Sequence, residues 1–498
     1  MIANFDDSRM NTNQPAPDII SGSGITSPRI SLLSWSICVV FIATRGFLIA
    51  SPELRHSTIG LYVTYGFESV SGRDQGSSIY DTHKANVKKR QQIAGQTMER
   101  GADTVEYPPL AISMMEIPVR ILGLTASQEE GISQYQANRY IRAARVGFAI
   151  SDGVGFALMF YILRSKLNAS PIRIFKALCL YTFCGLTLYA VLYDRMDIIM
   201  STLMLGSLAA LLSSLPYVFS FVLLATAINF KIVAILLAPV MIIGSLPCCS
   251  FSDTRINQLK LLCGRVLMLL FITFLIFVPY ILRDGISSFG FLKYHMARGI
   301  QLESLPANIV LLLHLFGRSV KIDHSFGSTN IVAYGAQWIA LAGTVFTIVA
   351  EFLMCCQLWR VCQRKLAHSS DQISLRHAYP QMIMHFSALA LAIGICGSKV
   401  FSPQYMVWFI ALVPLVIIES KDKDNSMLTI FLYTCFLTML IYPVLFDSEV
   451  RPVAPLHGSA LGFLPPTLFG LALLTARNVL FAAITVILAR TCPRQSAA

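Results

Sequence analysis

The stretch from Ala143 to Asp197 decides the fold. An apolar run, Ala143 to Leu163, stops at Arg164-Ser165-Lys166; Arg173 and Lys176 follow, then a second apolar run to Leu192, then the turn Tyr193-Asp194-Arg195-Met196-Asp197. Each run is about 20 residues, the length that carries a helix across the hydrocarbon core. Lipid offers no partner to backbone N–H and C=O groups, so such runs cross as helix. Short basic loops stay on the cytoplasmic side. The Arg164 to Lys176 loop therefore lies inside and the Tyr193 to Asp197 turn outside.

The same alternation runs outward from this stretch in both directions. Arg360, Arg364, Lys365 and Arg376 make a second basic loop, while Ser402-Pro403-Gln404-Tyr405 is a polar turn of the opposite kind. Of 498 residues, 55% are hydrophobic and 13% charged, and the mean hydropathy is +0.62. Soluble domains carry about 25% charged residues. The expectation is an all-α polytopic membrane bundle of about 12 spans over residues 31–490. A large extracytoplasmic loop, 52–142, carries surface helices after the first span; residues 1–30 and 491–498 read as cytoplasmic tails, the first of them disordered. The net charge of +12 sits in short loops between apolar runs, without a basic face bearing stacking aromatics, which argues against a nucleic-acid partner.

Three local readings matter for function. Ala111 to Leu124 is short and interrupted by Glu116, Pro118 and Arg120, so it reads as helix on the membrane surface. Counting it as a span would also put Arg164-Ser165-Lys166 outside. Tyr217 to Leu246 breaks at Asn229-Phe230-Lys231 and reads as two short helices, an arrangement that commonly surrounds a polar site. Gly72 to Asp103, with Lys88-Lys89-Arg90, reads as a solvated flexible loop rather than a lipid-headgroup site. No phosphate-binding glycine loop or dinucleotide fingerprint is present, and no cysteine spacing suggests zinc.

The polar residues cluster at the outer rim. Asp194 and Asp197 are candidate acceptor-orienting or general-base carboxylates, the alternative being a solvated hairpin. Arg195 suits a phosphate through its planar donors. Lys231 meets an anionic headgroup at the broken helix or snorkels to the interface. Tyr294 to Ser304 supplies His295, Arg298, Gln301 and Glu303, a set able to bind a phosphate and a sugar together. Gln404 and Tyr405 stand where one span emerges and the next begins.

These pieces together resemble the GT-C superfamily of membrane glycosyltransferases, and specifically glycosyltransferase family 87, the polyprenol-phosphate-mannose-dependent mannosyltransferases. The residues carrying the resemblance, in order, are Leu61-Tyr62-Val63-Thr64-Tyr65-Gly66, Val105-Glu106-Tyr107-Pro108-Pro109-Leu110-Ala111, Asp194-Arg195-Met196-Asp197, Phe230-Lys231, Tyr294 to Ser304 and Ser402-Pro403-Gln404-Tyr405. The resemblance implies inverting transfer of a hexose, mannose in this family, from a polyprenyl-phosphate donor to a glycan or glycolipid acceptor. It places this at the outer face of a bacterial cytoplasmic membrane, among membrane lipids and without a further cofactor. It also implies that Arg298 and Lys231 hold the donor phosphate, that Gln404, Tyr405 and Tyr107 contact donor or sugar, and that a carboxylate takes the acceptor's proton. Members usually place a catalytic Asp just before the tyrosine matched by Tyr62, where this chain has Thr58. Glu53 and Glu106 are the substitutes, beside Asp194 and Asp197. A transporter or lipid-carrier flippase, or a catalytically silent relative, are the competing readings; a carrier places ionisable groups at mid-membrane on several spans.

Overall fold

A computed structural model describes residues 28–52, 58–94, 99–125, 132–246, 254–366, 372–419, 426–455 and 461–491. Helix α1 (Pro28–Ala50) enters the outer layer, where α2 (Ile59–Asp74), α3 (Ile79–Ala94) and α4 (Pro109–Ile121) follow. Helix α4 is too short to cross, buries Ala111, Ile112, Met115 and Val119, and packs on α2. The two approach so closely at Gly66 that an added Cβ would stand 2.5 Å from the Met115 carbonyl oxygen. The expected flexible loop is instead α3. Its His83 is buried, with Nδ1 2.6 Å from Glu68 Oε2 and Nε2 2.8 Å from the Ala102 carbonyl. Lys88 and Lys89 lie exposed, while Arg90, exposed along its stem, reaches the same Glu68 carboxylate at 3.3 Å. One buried imidazole anchors a helix whose composition alone reads as solvated.

The bundle continues through α5 (Gln134–Tyr161), which runs on as a π-helical turn, Ile162–Lys166. Next come α6 (Pro171–Thr187), the single turn α7 (Tyr189–Leu192), α8 (Asp197–Leu211) and α9 (Tyr217–Phe230). The chain breaks at Lys231, whose backbone is extended at φ −156° and ψ 118°, and resumes as the 3-10 turns Ile232–Leu237 and α10 (Ala238–Gly244). The two-part reading of this stretch is what the fold contains. Helix α11 (Arg255–Asp284) leads out to α12 (Gly290–Ala297), β1 (Ile300–Gln301) and α13 (Leu305–His314).

A hairpin follows, β2 (Lys321–Ser325) and β3 (Ser328–Val332), with β3 central between β1 and β2, both antiparallel to it. Its turn residues Phe326 and Gly327 both have positive φ, 53° and 58°, the backbone that suits the twist of a two-residue hairpin. The bundle is completed by α14 (Ala336–Leu366), α15 (Gln372–Gly397), α16 (Tyr405–Ile410), α17 (Val413–Glu419) and α18 (Ser426–Met439). After the small ribbon β4 (Val453–Pro455) and β5 (Leu461–Phe463), α19 (Leu468–Arg490) ends it.

Among the described residues six helical stretches are long and apolar enough to cross a membrane, Gln134–Lys166, Arg255–Ala297, Ala336–Arg364, Ala378–Gly397, Ser426–Val444 and Leu468–Arg490, and six shorter apolar helices accompany them. The fold is the all-α polytopic bundle expected. Stretch Ala378–Gly397 is almost wholly enclosed while Arg255–Ala297 and Ala336–Arg364 turn most of their surface outward, toward what would be lipid. Inside the bundle Arg45 of α1 pairs with Asp152 of α5 at 2.8 Å, and Tyr181 and Tyr193 donate to the same carboxylate at 2.5 and 2.9 Å. All four side chains are buried. This knot ties α1, α5 and α6 together and fixes Tyr193 at the head of the Asp194-Arg195 turn.

Candidate functional site

Where the outer ends of these elements meet, they enclose a cavity of about 460 Å³. The Asp194-Arg195 turn contributes Arg195, the α9 break Lys231, and the approach to α4 Glu106 and Tyr107. Segment 294–303 contributes Tyr294, His295, Arg298, Gln301 and Glu303, and the start of α16 contributes Gln404 and Tyr405. Residues about 300 positions apart, from Glu106 to Tyr405, thus line one cavity.

The 298–303 segment is held by a lattice of hydrogen bonds to the loop before α16. Lys399 Nζ donates to the Arg298 carbonyl at 2.7 Å, the Gln301 amide donates to the Lys399 carbonyl at 2.9 Å, and Gln301 Nε2 donates to Ser402 Oγ at 2.9 Å. Arg298 Nε donates to Ser328 Oγ on the hairpin at 3.2 Å. Glu303 is buried beside Arg477 of α19, 3.4 Å away, with Gln301 Nε2 at 3.3 Å. Burial pushes the Glu303 carboxyl up to about 7, because the pull of Arg477 and the more distant Arg195 and Arg298 only partly offsets it.

Glu106 behaves in the opposite way. Burial raises its carboxyl, but Arg298, Arg195 and Lys231 together outweigh burial, and the net result lies below the usual carboxylate range. It is an ionised carboxylate facing three cations across the cavity. Tyr107 next to it shares a hydroxyl–hydroxyl hydrogen bond of 3.0 Å with Tyr62. Gln404 presents a buried Oε1 with no hydrogen-bond partner.

Asp194 and Asp197 were expected to face the cleft, and they do not line it. Asp194 Oδ2 accepts from the Thr58 amide at 2.8 Å, at the start of α2, and stands 3.7 Å from Arg195 Nε. A carboxylate there satisfies an orphan donor and complements the helix dipole. Asp197 is fully buried and its Oδ1 accepts from Lys231 Nζ at 2.6 Å and Trp408 Nε1 at 2.7 Å. Trp408 and Tyr405 stack at 4.1 Å, and Lys231 Nζ lies 5.5 and 5.9 Å from their ring centres. The two aspartates hold the cations in place rather than meeting a ligand. Glu53 lies outside the described residues.

The cavity also contains Thr58, the residue at the family's usual Asp position, and groups that the sequence did not single out: Glu99, His324, Tyr442 and Arg451. Glu99 and His324 pair at 2.9 Å, and Arg451 pairs with Asp447 at 2.7 Å. No motif marks them. The i,i+4 spacing of Asp447 and Arg451 was the one local signal available. Among the described residues, no group of three or more His, Cys, Asp or Glu is placed to hold a metal ion.

No protein-family model and no curated protein matches this chain. Among solved structures the chain is similar to ArnT from Cupriavidus metallidurans in the apo state, at 13% identity and a TM-score of 0.38, covering 93% of this chain and 76% of that one. The same protein bound to undecaprenyl phosphate gives 13% identity and a TM-score of 0.39, covering 93% and 77%. A likeness of that degree assigns no activity, which has to be argued from the cavity.

Proposed function

We propose that this chain is a membrane glycosyltransferase of the GT-C type, moving a hexose, mannose by its resemblance to family 87, from a polyprenyl-phosphate donor to an acceptor at the extracytoplasmic face. The observation carrying this reading is the convergence of Arg298, Arg195 and Lys231 on one cavity in which, among the described residues, Glu106 is the ionised carboxylate without an ion pair. Three cations suit a phosphodiester, and the planar guanidinium of Arg298 can grip two of its oxygens. Lys231, at a helix break among apolar helices, stands where a lipid-linked phosphate would arrive. The basic Arg164 to Lys176 loop supports an inside position for the far end of these helices and an outside position for the cavity.

In the reaction, Glu106 takes the proton of an acceptor hydroxyl, whose oxygen bonds to the anomeric carbon as the carbon–oxygen bond to phosphate breaks. That electron pair leaves on polyprenyl phosphate, held by Arg298 and Arg195. The anomeric centre inverts. Donor binding also strengthens the base: a bound phosphate offsets the cations that depress Glu106, raising its proton affinity when a proton must be taken. Tyr107, Gln404 and Tyr405 contact the sugar, and the unpartnered Gln404 Oε1 can accept from one of its hydroxyls.

A carrier would need ionisable groups free to change partners at mid-membrane. Asp152 and Arg45 are ionisable and enclosed, but Asp152 accepts three hydrogen bonds from three elements and is locked; Glu351, whose carboxylate has no hydrogen-bond partner, lies on the single span α14, where a carrier needs such groups on several. The test is transfer of radiolabelled mannose from polyprenyl-phosphate mannose by the purified protein in lipid. Glu106→Gln lowers transfer by about 10²- to 10⁴-fold, the range for a general base, with binding of polyprenyl phosphate retained. Full turnover by that variant, or movement of donor between leaflets without transfer, would overturn the reading.

A further inference from the structure

The cavity has two chemically different regions. One is made by the ends of apolar helices and holds Arg195, Lys231 and Tyr405. The other is made by the outer layer: the 99–104 loop after α3 and the tip of the β2–β3 hairpin. These two segments are latched together. The Phe326 amide donates to the Arg100 carbonyl at 2.8 Å and the Gly327 amide to Glu99 Oε1 at 2.9 Å. The Phe326 ring lies on Gly101, whose φ is +82° and where an added Cβ would stand 2.3 Å from the ring. The Glu99–His324 pair closes the latch.

The electrostatics separate the two regions. Glu106 is held down by Arg298, Arg195 and Lys231, whereas the charge acting on Glu99 is His324. Burial raises the Glu99 carboxyl, and His324 with the Gly327 amide overcomes it and brings it below its ordinary value. Arg451, which lines this side of the cavity, is matched by Asp447. Its guanidinium lies over Phe463 and Phe446, 4.6 and 5.2 Å from the ring centres. Arg100 lies over the Phe326 ring, 5.8 Å from its centre, and Arg298, on the border with the helix-end region, reaches Ser328 Oγ at 3.2 Å. What remains is a carboxylate beside an imidazole, with Thr329 and Ser328 on the same wall.

Resting on the glycosyltransferase reading above, we infer that this outer region is the acceptor's subsite and takes a neutral polyhydroxylated sugar. Glu99 and His324 bind adjacent hydroxyls. A carboxylate and an imidazole side by side supply acceptors and a donor at the spacing of a vicinal diol, which an acyl chain or a second phosphate could not use. The hairpin and the 99–104 loop then determine which acceptor is used, while the helix-end region determines the donor.

The test uses the full chain in lipid nanodiscs and two probes measured separately, a mannose disaccharide and undecaprenyl phosphate. Glu99→Gln and His324→Gln are each expected to weaken disaccharide binding about 10-fold or more, the range for losing a hydrogen bond to a charged group. Undecaprenyl phosphate binding is expected to stay within about twofold, which also reports that each variant is folded. Thr329→Val, a near-isosteric change on the same wall, is the second probe should either pair variant fail to fold, and it should weaken the disaccharide alone. Equal disaccharide binding by wild type and variants, or none by wild type while undecaprenyl phosphate still binds, would overturn the subsite and leave the donor reading standing. Failure of wild type to bind undecaprenyl phosphate would instead strike the donor reading.

Discussion

At the scale of single residues, two carboxylates in one cavity are pushed apart by their surroundings. Glu106 is held low by three cations and Glu303 is raised to about 7 by burial. They therefore make opposite claims about pH. The donor kcat/KM reports the free enzyme, so with Glu106 as base it stays flat from about pH 6 to about 8, whereas Glu303 as base would give a rise centred near 7. A pH profile of initial rates decides between them. Arg298→Gln removes a charge-assisted pair to the phosphate and is expected to raise the donor KM about 10- to 100-fold, with insertion into the membrane unchanged. Titration of donor by initial rate measures it.

Arg477 is the residue whose loss should damage the fold most. Arg477→Met leaves Glu303 buried without its ion partner, a change that costs about 3–5 kcal/mol. The sign with pH follows from the raised carboxyl. Between about 4.5 and about 7 the folded protein holds a proton on Glu303 that the unfolded chain has released, so this contribution favours folding at low pH and is lost as pH rises through about 7. In the variant, Glu303 titrates higher still, and the thermal unfolding deficit should be smaller at acid pH than above neutral. A deficit independent of pH would contradict the assignment.

At the scale of elements, the readable features were those set by local chemistry. The break at Asn229-Phe230-Lys231 follows from a lysine in an apolar run, and the short α4 follows from Glu116, Pro118 and Arg120. Helix α3 was misread because its contacts with Glu68, made by His83, Asn86 and Arg90, depend on tertiary packing against α2. The hairpin was missed for a related reason. Its turn, Phe326-Gly327, carries a phenylalanine where Asn or Asp would advertise a hairpin, and the positive φ of Phe326 is sustained by the Arg100 carbonyl and the Tyr294 hydroxyl. Gly101→Ala tests that latch: a Cβ at φ +82° facing the Phe326 ring costs about 1–3 kcal/mol locally. Faster proteolytic cleavage of the hairpin is expected, with the transmembrane core still resistant.

At the scale of the whole molecule, alternation of basic and polar loops was enough to place Arg195, Lys231, Arg298 and Gln404 on one rim, and they do share one cavity. The roles of Asp194 and Asp197 were not legible, because sequence shows a carboxylate but not its partner. One caps α2 at Thr58 and the other is spent on Lys231 and Trp408. Sidedness can be measured directly. In a cysteine-free background, Arg298→Cys and Gln404→Cys should react with an impermeant maleimide from one face of sealed vesicles and Arg164→Cys from the other.

The most direct measurement of the central claim is a cryo-electron microscopy map of the chain with a polyprenyl-phosphate sugar bound. The phosphate is expected between Arg298 and Arg195 near Lys231, with the anomeric carbon facing Glu106. A phosphate seated outside this cavity, or an anomeric carbon facing Glu303 with Glu106 turned away, would contradict it.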